Sequence, residues 1–235
     1  MYYPMYYDPT YILVLIGVVL SLLASAKVKS TFNKYARVHN TRGITGAQAA
    51  EQVLRGAGIY DVRVEHVAGN LTDHYDPRSK VLRLSDSVYG QTSVAAVGVA
   101  AHECGHAIQH AKGYVPLKFR GSLVPAANFG AKIAWPLILI GLLINSESSW
   151  LIIQVGILAF SLSVLFQVVT LPVEFNASNR AIRIIADTGM MQGQEIVAAK
   201  KVLSAAALTY VAAATSSILQ LLRLILITGG RRRND

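Results

Sequence analysis

Residues 101–110 read AHECGHAIQH and contain the pattern HExxH, formed by His102, Glu103 and His106. On a helix, positions i and i+4 lie on one face about a turn apart, so both imidazoles can bind one metal ion. Two such histidines with an adjacent glutamate are typical of catalytic zinc sites, where the glutamate takes a proton from the attacking water. The pattern therefore predicts Zn²⁺ as cofactor, His102 and His106 as its ligands, and Glu103 as the general base.

The flanking sequence predicts that this motif is helical. Small and apolar residues surround it without a proline, Thr92 or Ser93 offers an N-cap, and Lys112 with Gly113 marks the end. His110 repeats the four-residue spacing, but the eight residues from His102 to His110 span about 12 Å of helix axis, too far for ligands at about 2 Å from one ion. A third ligand must therefore come from elsewhere in the chain.

The apolar residues are concentrated in blocks that predict a multi-pass membrane protein. Hydrophobic residues make up 53% of the 235-residue chain, and uncharged or nearly uncharged blocks predict spans at 11–26, 129–145 and 150–173. Lysines follow the first block instead of preceding it, which favours an uncleaved anchor over a secretory signal. By the positive-inside rule, residues 1–10 and the NSESS turn at 145–149 lie outside, and the basic segments lie in the cytoplasm.

A fourth apolar block at 202–228 is open to two interpretations. If it crossed the membrane from the cytoplasm, Arg223 and the arginines at 231–233 would end on the outer side, against the positive-inside rule. A helix lying on or beside the membrane, with the arginine tail on anionic lipid, avoids this conflict and is favoured. A fourth span is the alternative.

Residues 27–128 are predicted to form a cytoplasmic cap that carries the HExxH helix. Thr45 and Gln48 form a capping-box pattern at the start of a short helix, and three β-branched runs follow between residues 61 and 85. The DPRS turn predicts a hairpin over residues 71–85, so a small antiparallel sheet is expected beside the catalytic helix. An open strand edge there could bind an extended peptide, which favours a peptide or membrane-protein substrate.

Charge and cysteine content restrict the function further. The net charge of +9 comes from basic residues that flank the apolar blocks, and no basic motif is interleaved with aromatic residues. The lipid bilayer, and not nucleic acid, is therefore the predicted partner. The single cysteine, Cys104, excludes an intramolecular disulfide and a thiolate zinc cluster.

Glu174 is the best candidate for the third zinc ligand. It follows the third apolar block in LPVEFNASNRA, where Pro172 is predicted to open a cytoplasmic helix covering residues 174–201. Asp187 and Glu195 compete with it, but both lie farther along the chain among charged residues. Two histidines and a glutamate form a known catalytic zinc set.

The segments RGITGAQAAEQVL, LTDHYDPRSKVLRLS, HECGHAIQH and LPVEFNASNRA resemble the YugP-type neutral zinc metallopeptidases, which are bacterial membrane proteins of about this length. The resemblance extends from Tyr35 to Arg223. It implies zinc on His102, His106 and Glu174, catalysis by Glu103, and an arrangement similar to HtpX-type membrane proteases of the gluzincin class. The family pattern often has aspartate where this chain has Asn176. If that aspartate orients a zinc ligand, asparagine would keep the orientation but not the negative charge.

The sequence thus predicts a mainly α-helical membrane protein, a helical bundle with a zincin-like cytoplasmic cap, forming one peptidase domain over residues 1–235. Its predicted activity is zinc-dependent hydrolysis of peptide bonds at a cell membrane, with the active site facing the cytoplasm. A site-two type intramembrane protease is disfavoured because the DTG at 187–189 lies outside the apolar blocks. The alternative from another class is a zinc-binding membrane scaffold or chaperone without turnover, against which Glu103 argues. The oligomeric state is left open.

Overall fold

The structure is a computed structural model that describes residues 8–144 and 149–231. The NSESS turn, except Ser149, and the arginines at 232 and 233 lie outside the described residues, as do residues 1–7. Within the described parts the chain is mainly helical, with a small sheet between the second and third helices. The elements in chain order are α1 (Tyr11–Tyr35), α2 (Gly46–Gly56), β1 (Arg63–Val67), β2 (His74–Asp76), β3 (Val81–Ser85), α3 (Val94–Ala111), α4 (Val115–Leu143), α5 (Ser149–Asp187) and α6 (Gln194–Arg231).

Four of the described helices are long and apolar enough to cross a membrane, by length and composition: α1, α4, α5 and α6. Only between 11% and 28% of the most apolar window in each is buried inside the protein, so most of their apolar surface faces outward. Extensive exposed apolar surface of this kind is typical of helices that contact lipid. The block at 202–228 is part of α6, which meets the same criteria as the three predicted spans.

Two of these helices are longer than the sequence predicted. Instead of a new helix opening at Pro172, α5 continues through that residue for 39 residues in all. The second apolar block is the later part of α4, which also contains Pro125 and Pro136. A proline inside a helix removes one backbone hydrogen bond, a loss that long membrane helices tolerate. Glu174 therefore lies in the interior of α5, not in the first turn of a new helix.

The sheet is mixed, and the prediction of an antiparallel sheet is wrong for one of its strands. The strand order is β1-β3-β2, with β2 antiparallel to β3 and β1 parallel to β3. The predicted hairpin is β2 and β3, and in its turn Asp76 accepts hydrogen bonds from the Arg78 N–H (2.9 Å) and the Ser79 hydroxyl (2.6 Å). Turn residues signal a hairpin locally, whereas the direction of β1 depends on contacts distant in sequence.

The chain divides into two compact units. The first contains Met1–Leu23, Arg120–Val169 and Tyr210–Asp235, and the second contains Ala24–Phe119 and Thr170–Thr209. In the first unit, α1 and α6 approach closely: the Ser216 hydroxyl donates to the Gly17 carbonyl at 2.9 Å and lies 3.1 Å from the Ser21 hydroxyl. Small and hydroxyl residues are typical of helix contacts within membranes.

The second unit contains the main hydrophobic core. It is built from α2, β3, α3 and the parts of α5 and α6 that belong to this unit. Cys104 is fully buried in it, with its sulfur 3.6 Å from the Ala50 carbonyl of α2, so this residue packs in the core. The capping box of α2 forms as predicted, with Thr45 and Gln48 each accepting the other's backbone N–H. The core surrounds α3 and so fixes the helix that carries the HExxH motif.

Candidate metal site

Helix α3 begins and ends where the sequence predicts. The Ser93 hydroxyl caps it by accepting from the Ala96 N–H at 3.1 Å, and Lys112 is the C-cap, followed by Gly113 with a positive φ of 62°. His102 and His106 lie one turn apart, with ring centroids 4.8 Å from each other and ring planes nearly perpendicular. The two imidazoles therefore share one face of the helix.

A close crossing brings α5 onto this face. A Cβ atom at Gly105 would lie 2.6 Å from the Ala177 carbonyl oxygen, so only glycine permits this approach of the two backbones. Glu174 lies about one turn before Ala177, and helical geometry places its side chain on the same side of α5. The crossing at Gly105 thus positions Glu174 beside the two histidines.

Replacing Gly105 with alanine is expected to separate α3 from α5 and weaken zinc binding at least tenfold, because the new methyl group collides with backbone and not with a movable side chain. The matched control is Gly98→Ala on the same helix, where the added Cβ would meet the Ala199 Cβ at an ordinary 3.5 Å. Zinc content after dialysis and the temperature of thermal unfolding measure both effects. Equal zinc retention by the two variants would contradict the proposed role of the crossing.

Three side chains meet at the crossing with the geometry of a metal site. Glu174 Oε2 lies 3.4 Å from His102 Nε2 and 3.5 Å from His106 Nε2. Ligands about 2.0–2.1 Å from a tetrahedral zinc are about 3.3–3.4 Å from each other, so both distances fit neighbouring corners of a zinc coordination sphere. Among the described residues, these three form the one group of at least three histidine, cysteine or acidic side chains whose donor atoms lie close enough for a metal.

The burial of the group also suits a catalytic ion. The Glu174 side chain is 3% exposed and each histidine side chain is 13% exposed, so the donors are shielded but the histidines still reach solvent. A buried carboxylate between two imidazoles offers one negative charge to a divalent ion. In the described part of the chain, no fourth histidine, cysteine or acidic side chain joins the group, as it would in a structural zinc site with four protein ligands. The donor set therefore fits Zn²⁺ with a position left for water or substrate.

Each histidine is oriented by a partner at its other ring nitrogen. His102 Nδ1 lies 3.1 Å from the Ser178 hydroxyl, and His106 Nδ1 lies 3.0 Å from Gln109 Oε1. Because Gln109 Oε1 is an acceptor, His106 carries its proton on Nδ1 and leaves the Nε2 lone pair for a metal. Partners of this kind fix the ring orientation and the tautomer of a zinc ligand.

The Gln109 side chain is held in turn by α5. It is fully buried, and its amide N–H groups donate to the Val173 carbonyl at 2.8 Å and to Asn176 Oδ1 at 3.0 Å. Asn176 also accepts from Arg180 Nε at 2.7 Å. Asn176 therefore belongs to the series of hydrogen bonds that orients His106. Its amide oxygen accepts from both Gln109 and Arg180.

Replacing Gln109 with leucine is expected to lower zinc affinity about 10- to 100-fold, because His106 loses the acceptor that fixes its tautomer. Leucine fills a similar volume, so the core is retained. Competition with a zinc chelator measures the affinity, and circular dichroism checks the fold. The control is Asn179→Leu on α5, outside these hydrogen bonds; a Gln109→Leu affinity equal to wild type would contradict the orienting role.

Burial and charge act in opposite directions on His106. Burial alone would lower its pKa, but the contact with Glu174 and the negative charges of Glu103 and Glu174 outweigh this effect and raise the pKa above the ordinary 6.5. Without a metal, His106 is therefore protonated more easily than an ordinary histidine. Protons and zinc compete for the same nitrogen, so zinc binding weakens as the pH falls.

Glu103 is nearly buried, with 9% of its surface exposed, and its charge interacts with that of a second acid. This acid, Asp73, accepts hydrogen bonds from the Ser85 N–H at 2.7 Å and the Ser85 hydroxyl at 2.9 Å. Burial raises the pKa of Asp73, and the charge of Glu103 adds to the effect. Glu103 therefore lies close enough to Asp73 for their charges to interact.

The other candidates from the sequence lie in different contacts. His110 Nδ1 is 2.8 Å from the Tyr75 hydroxyl, and Glu195 accepts from the Thr41 N–H at 2.7 Å. Neither residue belongs to the metal-binding group, nor does Asp187. Gln109, Ser178 and the crossing glycine were missed by sequence reasoning, since the sequence has no local pattern for a partner on another helix.

Comparison with known proteins shows the family of this chain. The model of a family described as "Putative neutral zinc metallopeptidase" matches residues 10–229. The chain is also 48% identical over 185 residues to a protein of Bacillus subtilis (strain 168) named "Putative membrane protease YugP". The aligned residues cover 79% of this chain and 81% of that relative. No solved structure matches it. The chain belongs to the neutral zinc metallopeptidase family that these two matches define.

Proposed function

We propose that this protein is a zinc-dependent membrane metallopeptidase that hydrolyses peptide bonds, with His102, His106 and Glu174 as zinc ligands and Glu103 as general base. The observation that carries the proposal is the meeting of Glu174 Oε2 with both histidine Nε2 atoms at 3.4 and 3.5 Å. The family and the membrane protease relative support the same activity. This donor set is that of a gluzincin.

The chain's own residues supply the proton transfers. A bound zinc ion polarises the scissile carbonyl and makes water more acidic. The Glu103 carboxylate accepts the proton of the attacking water and then donates it to the nitrogen of the leaving amine, so one group acts as base and then as acid. Ser178 and Gln109 hold the two imidazoles while this takes place, and no covalent intermediate with the protein is needed.

An extended peptide is the substrate that the fold favours. Strand β2 lies at one end of the sheet order, and within the described residues its other side is paired with no strand. The loop just before it carries Asp73, whose charge interacts with that of Glu103. A peptide that pairs with β2 would add a strand close to the HExxH helix. Unfolded segments of membrane proteins have the required conformation.

We infer that the membrane is crossed by α1, α4, α5 and α6, with the site on the cytoplasmic side. For α6, the inference rests on Arg223, which lies 3.2 Å from the Asp8 carboxylate and 4.2 Å from the Tyr11 ring centroid. This pairing at the start of α1 neutralises the charge of Arg223, one of the arginines that counted against a fourth span in the sequence. The lysines that follow residue 26 support a cytoplasmic end for α1.

The activity is tested by incubating casein, an unstructured protein, with the detergent-purified chain and identifying new termini by mass spectrometry. We expect cleavage that stops after chelator treatment and returns when zinc is added. A chain that binds one zinc but cleaves neither casein nor unfolded membrane proteins would support the alternative, a zinc-binding scaffold or chaperone. A catalytic site needs an open position at the metal, and three protein ligands provide one.

A further inference from the structure

A groove between α1 and α6 is lined by four lysines. Its volume is about 650 Å³, and Lys27 and Lys34 of α1 face Lys200 and Lys201 of α6 across it. Hydroxyl groups of Thr31 and Ser204 and the ring of Tyr35 also line this space, which we call the lysine groove. The zinc ligands and their partners are not among its lining residues.

The lysine groove has a strongly positive potential. It is lined by no acidic residue, and none of the carboxylates in the described part of the chain lies within ion-pair distance of the four lysines. Four ammonium groups around one space repel each other, and a bound anion relieves this repulsion. Hydroxyl groups beside them add hydrogen-bond donors, a combination that suits phosphate oxygens.

The lysines follow or precede an uncharged apolar stretch on each of the two helices. No charged side chain occurs at residues 11–26 of α1 or at 202–222 of α6. At 1.5 Å per residue these helical stretches measure about 24 and 32 Å, compared with about 30 Å for the hydrocarbon core of a bilayer. Insertion of both helices thus places the lysine groove at the depth of the lipid headgroups.

Apolar surface next to the lysine groove can accept acyl chains. On α6, Leu208 lines the groove on the membrane side of Lys200 and Lys201 and is 46% exposed. A cationic pocket beside an exposed apolar surface fits a molecule with an anionic head and a hydrocarbon tail. A soluble anion such as phosphate has no apolar group that would contact this surface.

We propose that the lysine groove binds the phosphate headgroup of an anionic phospholipid. The four ammonium groups and the two hydroxyls bind the phosphate oxygens, and an acyl chain lies along the apolar surface of α6 that begins at Leu208. The proposal rests on the proposed insertion of both helices, but it does not depend on peptide hydrolysis. The bound lipid joins the end of α1 to the start of α6 and stabilises their contact.

The test titrates the full-length chain in nonionic detergent with three ligands and counts bound molecules by native mass spectrometry. The ligands are phosphatidylglycerol, phosphatidylcholine with the same acyl chains, and inorganic phosphate. The double variant Lys34→Gln/Lys201→Gln removes two charges from the lysine groove. The control Lys29→Gln/Arg37→Gln removes two equally exposed charges that do not line it.

We expect phosphatidylglycerol to bind at least tenfold more tightly than phosphatidylcholine, and the groove variant, but not the control, to lose this preference. Tight binding of inorganic phosphate alone would overturn the lipid assignment in favour of a soluble anion. Equal binding by groove variant and control would overturn the site. Casein cleavage in the same samples reports the proposed activity separately, so failure of one proposal is distinguishable from failure of the other.

Discussion

Replacing Glu103 with glutamine is expected to reduce peptide hydrolysis at least about 100-fold while the protein keeps one zinc per chain. Glutamine has nearly the same shape as glutamate but cannot accept the proton of the attacking water. Glu103 is not among the three side chains whose donor atoms converge on the metal position, so zinc retention should not change. The measurement is the initial rate of casein cleavage, compared at equal zinc content determined by atomic emission.

The control for this variant is Glu51→Gln, the same chemical change on an exposed side chain. Glu51 lies on α2 and pairs with Arg55 at 3.5 Å, an exposed ion pair that contributes little to stability. It should retain the wild-type rate. Cleavage by Glu103→Gln at the wild-type rate would show that the activity belongs to another site or to a contaminating protease, and would remove Glu103 from the mechanism.

Replacing Glu174 with glutamine is expected to release the zinc and abolish activity. Glu174 is the anionic donor of the group, and its Oε2 atom contacts both histidines. The neutral amide is a poor zinc ligand. Loss of a residue that only hydrogen-bonds a zinc ligand lowers zinc affinity about 10- to 100-fold, and loss of the ligand itself should lower it further. Zinc content after dialysis against a weak chelator and a competition assay measure this effect.

The matched control is Glu195→Gln, the competing candidate that the sequence left open. Glu195 accepts hydrogen bonds from the backbone N–H groups of Thr41 and Gln192 and lies outside the metal group. This variant should keep its zinc. Zinc loss by Glu195→Gln with retention by Glu174→Gln would contradict the ligand assignment and require a different arrangement of α5 and α6.

Local features of the fold could be predicted from the sequence because each depends on residues a few positions apart. The caps of α2 and α3, the hairpin turn at Asp76 and the shared face of the two HExxH histidines are of this kind. Apolar composition likewise predicted three of the four long helices as spans and left α6 open. Here local hydrogen bonding and hydropathy determine the structure.

Features that depend on distant contacts could not be predicted in the same way. The parallel pairing of β1 with β3 and the continuation of α5 through Pro172 are determined by packing, which outweighs the local signal of a turn or a proline. The candidate site shows the same limit. Glu174 was chosen from its neighbourhood in the sequence, but its approach to the histidines depends on the contact between Gly105 and Ala177.

The measurement that tests the central claim most directly is a zinc titration of the metal-free protein, followed by casein cleavage at each step. The three converging donors predict one zinc per chain, so activity should rise in proportion to added zinc and stop rising at one equivalent. The same titration of Glu103→Gln should bind one equivalent without activity. Cleavage that is complete without zinc, or zinc binding that never produces cleavage of any unfolded substrate, would contradict the assignment of a zinc peptidase site.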